Sequence, residues 1–169
     1  MQEIKYTPLG ELVERDDNPK DHDLGMIVES IKRFGFIAPI VIDEGTGKLV
    51  AGHGRLHALR LLKEDKMIKD RVVPTNIEEK DGEWLVPVIS GVEFKSDVEA
   101  LAYTIADNRL VELGGWHDEF LLEGLKNVQL DDSLVGTGFE LDDIDDLLKR
   151  TGVLGDDKSL FLSAFFDEV

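Results

Sequence analysis

Two short stretches of this chain carry residue types able to handle a charged ligand. In Val50-Ala51-Gly52-His53-Gly54-Arg55-Leu56 an apolar run ends at Gly-x-Gly, and an arginine opens a stretch of helical apolar spacing. Backbone N–H groups at the start of such a helix lack intrahelical partners, and glycines let an anion come close to them. Arg55 adds a planar fork for two phosphate oxygens, and His53 a ring donor. The second stretch, Ile105-Ala106-Asp107-Asn108-Arg109-Leu110, sets a carboxylate, an amide and a guanidinium in a row. Asp107 or Asn108 can hold Mg²⁺ through oxygen, and Arg109 can neutralise phosphate charge. Read locally, the first pattern also describes a tight turn with no ligand, and the second a solvated helix face.

The flanking sequence supplies the elements that must position them. Glu3–Pro8 alternates and stops at proline, the pattern of a strand, and the polar stretch Glu14–His22, with its Asn18-Pro19 turn signal, reads as a loop. Leu24, Ile27, Val28, Ile31 and Phe34 fall on one helix face ahead of Gly35, which suits a helix stop. Ala38–Asp43 and Lys48–Ala51 read as a hairpin around Glu44-Gly45-Thr46-Gly47, and it leads into the glycine junction. Leu56, Leu59 and Leu62 mark a helix over Arg55–Glu64, with 65–83 an extended loop or peripheral hairpin. Trp84–Ile89 reads as a strand, placed near a sheet edge by Pro87. Ser96-Asp97-Val98-Glu99 is a capping-box signature opening a helix whose apolar face runs through Val98, Leu101, Ala102 and Ile105 toward Leu110. Two further helices are predicted over His117–Asn127 and Leu141–Arg150, the latter with acids early and Lys149-Arg150 at its end.

At 169 residues the chain suits one domain with a short appendage. The reading is of three parts: 1–113, an acidic helical extension over 114–150, and 151–169, a linker with the apolar stretch Leu160–Phe166, expected to pack on the domain or on a second copy. No apolar run reaches the roughly 20 residues that span a bilayer, and there is no signal-peptide pattern. The absence of cysteine excludes disulfides and thiolate chemistry and suits a cytoplasmic location. His53 and His57 stand four apart, but without the glutamate of HExxH they read as a helix-start polar face, not a zinc site. Charge is unevenly spread. Residues 1–71 carry 12 basic and 13 acidic side chains, and 72–169 carry 7 and 23, so nearly all of the net −17 lies in the second part. Direct DNA binding is therefore expected to be weak or indirect, while a compact phosphate ligand suits the first part.

Taken together, Asn18-Pro19-Lys20, Ala51–Leu56 and Ile105–Leu110 stand in an order and separation that resemble the ParB/sulfiredoxin family, here its ParB-like N-terminal domain. Phe34-Gly35-Phe36 followed by Pro39-Ile40-Val41 adds to the likeness, which covers about 3–113. Gly114-Gly115-Trp116 and Thr137-Gly138-Phe139-Glu140 extend it to about 150, as in ParB-like domains beside phage and bacterial DNA modification methyltransferases. The resemblance implies an α/β (α+β) fold, a small mixed sheet with flanking helices, followed here by acidic helices. It further implies a nucleoside triphosphate, CTP or ATP, with Mg²⁺. On that model Gly52, His53, Gly54 and Arg55 fall on the phosphate-contacting box, with Asn18 and Arg109 also ligand-binding. Asp107 and Asn108 fall on the box serving hydrolysis and Mg²⁺. His53 and Gly54 stand where partitioning proteins have glutamate and arginine, so one cationic grip is missing, and the absence of cysteine excludes sulfiredoxin's reductase chemistry. The implied function is a nucleotide-binding switch or slow NTP hydrolase in a DNA-related process, as a homodimer or with a DNA modification enzyme. A non-enzymatic DNA-associated adaptor with a vestigial pocket and a small-molecule kinase of the free-serine type are the alternatives. Backbone cleavage of DNA suits the acidic second part least.

Overall fold

Residues 1–64 and 73–152 are described by the computed structural model, in which the chain divides into a unit spanning Met1–Gly114 and a second beginning at Gly115. In the first, Trp84, Val86 and Val88 alternate along β5 (Glu83–Val92) and send their side chains into the core, which is the period-2 pattern of a strand with one face buried. β5 pairs antiparallel with β1 (Glu3–Pro8), from Glu3 opposite Ser90 to Pro8 opposite Leu85. On its other side it runs parallel to β2 (Ile40–Asp43) and antiparallel to β4 (Glu78–Lys80), the latter through a two-residue turn in which Asp81 and Gly82 both have positive φ. With β3 (Leu49–Ala51) beside β2, the mixed sheet has the order β1-β5-β2-β3. β5 is thus central, against the edge position that Pro87 suggested. The β2 ladder starts at Ile40 opposite Val88, so on that side Pro87 lies just outside it.

α1 (Leu24–Phe34) and α2 (His53–Glu64) pack on the core face, bringing Ile31, Leu56, Leu59 and Leu62 against Leu49, Phe36 and Trp84. Asp23 caps α1 by accepting the Met26 N–H at 3.1 Å, and Gly35 ends it at φ 82°, with Thr75 so close that a Cβ there would clash. Phe34 turns outward under the Arg33 guanidinium, and Phe36 takes the core place. α2 begins two residues earlier than its apolar spacing indicates: the Leu56 N–H already bonds the Gly52 carbonyl at 2.9 Å. The predicted loop or hairpin over 65–83 ends in the β4–β5 hairpin; 65–72 lie outside the described residues.

Asp43 is buried where the β2–β3 turn meets the approach to α3 (Asp97–Glu112). It accepts bonds from the Thr46 hydroxyl (2.7 Å) and the N–H groups of Thr46, Phe94 and Gly45 (3.1, 3.2 and 3.3 Å). Ser96 caps α3, accepting the Glu99 N–H, while Glu99 reaches back to the Lys95 N–H. The face of α3 differs from the expected one. Ala100 and Thr104 are the buried residues, whereas Val98, Ile105 and Leu110 are exposed. α3 lies on β3, and small side chains allow the closest approach there; Thr104 satisfies its hydroxyl on the Ala100 carbonyl.

In the second unit, α4 (Asp118–Asp131) and α5 (Leu141–Thr151) share a core of Leu122, Leu125, Leu134, Ile144, Leu147 and Leu148. Trp116 meets Phe139 edge to face, and Glu140 and Asp143 form a capping box on α5. Arg150 pairs with Asp118 across the two helices. The predicted linker and apolar stretch from 153 onward lie outside the described residues.

Two outcomes follow for stability. Burial alone would raise the Asp43 carboxyl, but the Thr46 hydroxyl and the three N–H donors outweigh it and hold the group below the ordinary aspartate value. With the folded pKa below the unfolded one of about 3.9, its contribution is complete above about pH 5, starts to decline near pH 4 and is lost as pH falls through the lower folded value. Asp43→Ala should cost about 3 kcal/mol in urea unfolding at pH 7, and Asp43→Asn should flatten the decline between pH 6 and pH 3; an unchanged acid slope would refute the assignment. At Gly54 an added Cβ would stand 2.8 Å from the His22 ring and 2.8 Å from Ile27 Cδ1. Glycine to alanine in an open helix gains about 1 kcal/mol; here Gly54→Ala should instead lose about 1–2 kcal/mol in thermal unfolding.

Candidate functional site

The junction between β3 and α2 is built by constraint. Gly52 has φ 99°, and a Cβ there would press on Ile40 Cγ1 at 3.0 Å and on the Arg55 guanidinium at 3.2 Å. Because Gly52 accepts from Leu56, the N–H groups of His53, Gly54 and Arg55 are the first-turn donors that the helix itself cannot satisfy.

The loop from Leu12 to His22 covers this helix start. Its carboxylate Glu14 pairs with both His57 and Arg60 on the polar face of α2, and Arg60 also donates to the Leu12 carbonyl at 3.0 Å. Burial pushes Glu14 upward, but those two partners hold it below the ordinary glutamate value. The His22 ring lies on Gly54. Arg15 fastens the loop: its side chain is 2% exposed, forks onto both Asp17 oxygens at 3.0 Å, and reaches Asp97, the first residue of α3, at 2.8 Å. These carboxylates hold the guanidinium above its ordinary value despite burial.

Three polar atoms here are buried without a hydrogen-bond partner: His22 Nε2, His53 Nε2 and Arg55 Nε. Arg55 is half-buried and spends one terminal nitrogen on the Pro39 carbonyl at 3.1 Å. Burial lowers its pKa, and the charge of Asp107 on α3 opposes that shift. His53 is 3% exposed; burial, His22, His57 and Arg15 lower its pKa against the pull of Glu14. His22 is lowered by burial and by His57, Lys20 and Arg55, with Asp21 opposing.

The other expected residues are placed as follows. Asn18 accepts the Lys20 N–H at 3.4 Å and so shapes its own turn. Asn108 donates its amide to the Thr104 carbonyl at 2.8 Å, which leaves its oxygen as the group able to meet a cation. Asp107 is exposed. Arg109 is engaged by Glu112 at 3.2 Å, and the same carboxylate pairs with Lys20. The three segments are therefore linked pairwise: the His22 ring on Gly54, the charge of Asp107 acting on Arg55, and Lys20 with Arg109 on Glu112. Sequence reasoning missed Glu14, Arg15, His22, His57 and Glu112 as parts of this arrangement. The spacing of His53 and His57 was the one available signal, and it marked only a polar helix face. Among the described residues no group of three or more His, Cys, Asp or Glu side chains is arranged to hold a metal. Asp107 and Asn108 offer one carboxylate and one amide oxygen, a set that suits Mg²⁺ already carried by phosphates and not a cage made of protein alone.

No family model matches the chain. It is 43% identical over 67 residues to the ParB-like nuclease domain-containing protein YnaK of Escherichia coli (strain K12), a match covering 38% of this chain and 76% of that protein. In fold it is similar to the C-terminally truncated chromosome-partitioning protein ParB from Caulobacter crescentus, solved in complex with CTP-gamma-S. The TM-score is 0.58 at 18% identity, over 96% of this chain and 85% of that one. Sequence and fold agree: the chain belongs to the family of ParB-like nuclease domain proteins.

Proposed function

We propose that the first unit binds a nucleoside triphosphate with Mg²⁺ at the start of α2 and acts as a nucleotide-responsive switch in a DNA-related process such as modification or partitioning. The observation that carries this is the convergence of three distant segments on one helix start holding free backbone donors and the unpartnered nitrogens of His53 and Arg55. The ParB of similar fold was solved with a CTP analogue, which supports the same ligand class here.

In this reading the N–H groups of His53, Gly54 and Arg55 meet phosphate oxygens, with Gly52 giving access. Arg55 supplies a cation whose partial burial strengthens its pull on a phosphate. Asp107 and the Asn108 oxygen would hold a Mg²⁺ ion, and Asp107 would orient water for slow hydrolysis. Arg109 joins the phosphates once Glu112 gives it up, and the Asn18 turn sets the height of the covering loop. The metal neutralises phosphate charge and adds no protein-only site. Partners of the switch are a second copy or a DNA modification enzyme.

One observation favours a second reading, a binding adaptor whose pocket no longer takes a ligand: His53 and Gly54 are buried under the loop. Cleavage of DNA, which the name of the E. coli relative raises, fits less well with the −16 carried by residues 72–169.

A thermal-shift panel of CTP, ATP, ADP and GTP with and without Mg²⁺ separates the readings. A ligand at a hundredfold its Kd stabilises by about 2.7 kcal/mol, a rise of several degrees for a domain of this size; no shift with any nucleotide would leave the adaptor. By calorimetry Arg55→Ala should weaken the best ligand at least tenfold, about 1.4 kcal/mol, and unchanged affinity would remove its central role.

A further inference from the structure

The fixed cations around the start of α2 are largely compensated. Arg15 is held by Asp17 and Asp97, Arg60 by Glu14, and Lys20 and Arg109 share Glu112. Arg55 alone among them has a buried guanidinium nitrogen without a partner. A polyphosphate carrying three or four negative charges would therefore meet less free positive charge than the count of basic residues suggests. The further side-chain donors beside the backbone N–H groups of that helix start are two imidazoles.

Those imidazoles are unusual in their surroundings. His53 is 3% exposed, His22 lies on Gly54 within the same turn of helix, and the Nε2 of each is buried with nothing to bond. A buried polar atom without a partner is costly, and such atoms mark places where a bound group would gain most. Here the group must be rich in acceptors, because the adjoining helix start offers only donors.

We propose that His22 and His53 are a proton-linked phosphate contact: the polyphosphate hydrogen-bonds both rings, and the pair takes up a proton as it binds. This rests on the nucleotide reading above and adds to it a pair of contact residues and their regulation by pH.

The charges facing the pair account for the linkage. His22 is faced by Lys20 and Asp21 of its own loop and by Arg55 and His57 of α2; His53 by Glu14 and Arg15 of the loop, by His22, and by His57. Asp107 of α3 acts on Arg55. Burial and the cationic neighbours favour the neutral form of both rings in the free protein, with Asp21 and Glu14 opposing. A bound polyanion reverses the local field and makes an imidazolium favourable. Folded, unliganded protein then binds fewer protons than the complex, so affinity rises as pH falls through neutrality.

The test is calorimetry with CTP–Mg²⁺ and with inorganic tripolyphosphate, each in two buffers of different ionisation enthalpy, at pH 6, 7 and 8. The expected result is uptake of about half a proton at pH 7 and affinity about tenfold tighter at pH 6 than at pH 8, the linkage equivalent of half a proton averaged over that range. A terminal phosphate itself titrates near pH 6, so the double variant His22→Gln/His53→Gln supplies the reference. Glutamine keeps a donor near Nε2 but cannot be protonated. The variant should fold, as its thermal unfolding would report, and should lose most of the proton uptake. Proton NMR gives an independent readout with only four histidines in the chain. The signals of His22 and His53 should titrate below the ordinary range in the free protein and move upward in the complex. Binding with wild-type proton uptake in the double variant, or histidine signals that do not move, would overturn this inference and leave the nucleotide reading standing. No heat and no thermal shift with either ligand would overturn both.

Discussion

A guanidinium removed from water has to be matched by carboxylates, and Arg15 is matched by two. One of them, Asp17, lies two residues away and folds the loop on itself; the other, Asp97, lies 82 residues away at the start of α3. This anchoring decides where the loop between the first strand and α1 can run. From it follow the contact of Glu14 with His57 and Arg60, the seat of the His22 ring on Gly54, and the reach of Lys20 to Glu112. A loop of this length without such an anchor would be held by exposed ion pairs, each worth a fraction of a kilocalorie. The site at α2 is thus an assembly around one buried charge, and its parts come from sequence positions with no local relation to each other.

The second constraint is the sheet. Because β5 pairs on both sides and β2 runs parallel to it, the β2–β3 hairpin must deliver its last residue at the edge of the core, and α2 must start there. Gly52 permits the turn, while Gly54 permits His22 to lie against the helix. The two glycines of Gly-x-Gly therefore do different work: one satisfies a backbone angle, the other a packing distance.

Sequence patterns disclosed the parts of this fold that local chemistry determines. β1, α1 and the β2–β3 hairpin lie where alternation, helical spacing and turn residues put them, and Gly35 ends α1 as expected. Failures came where partners are far apart or where size competes with hydrophobicity. Pro87 argued for an edge, but the ladder to β2 starts only at Val88, and the strand is central. On α3 the largest apolar residues suggested the inner face, yet close packing on β3 selected Ala100 and Thr104. The Gly52–Arg55 junction was legible because a strand, a glycine turn and a helix follow one another directly. Arg15 and His22 were not, since nothing nearby in the sequence distinguishes a buried loop cation or a ring seated on a helix from solvated neighbours.

For a switch of the proposed kind the ligand must shift an equilibrium between two arrangements, and it can do so only through contacts that differ between them. Glu112 is the group on which such a difference turns. It occupies Lys20 and Arg109 together, and those partners hold its carboxyl below the ordinary glutamate value. On the proposed reading an incoming phosphate would compete with Glu112 for the same cations, so its gain at Arg55 and the histidines would be offset by the ion pairs it displaces. These are exposed and weak, which keeps the exchange near balance. Near balance is the condition under which modest binding energy changes populations most. The helix that carries Glu112 also presents Val98, Ile105, Leu110 and Val111 to solvent, so a shift at its polar residues alters an apolar face on the same rigid element.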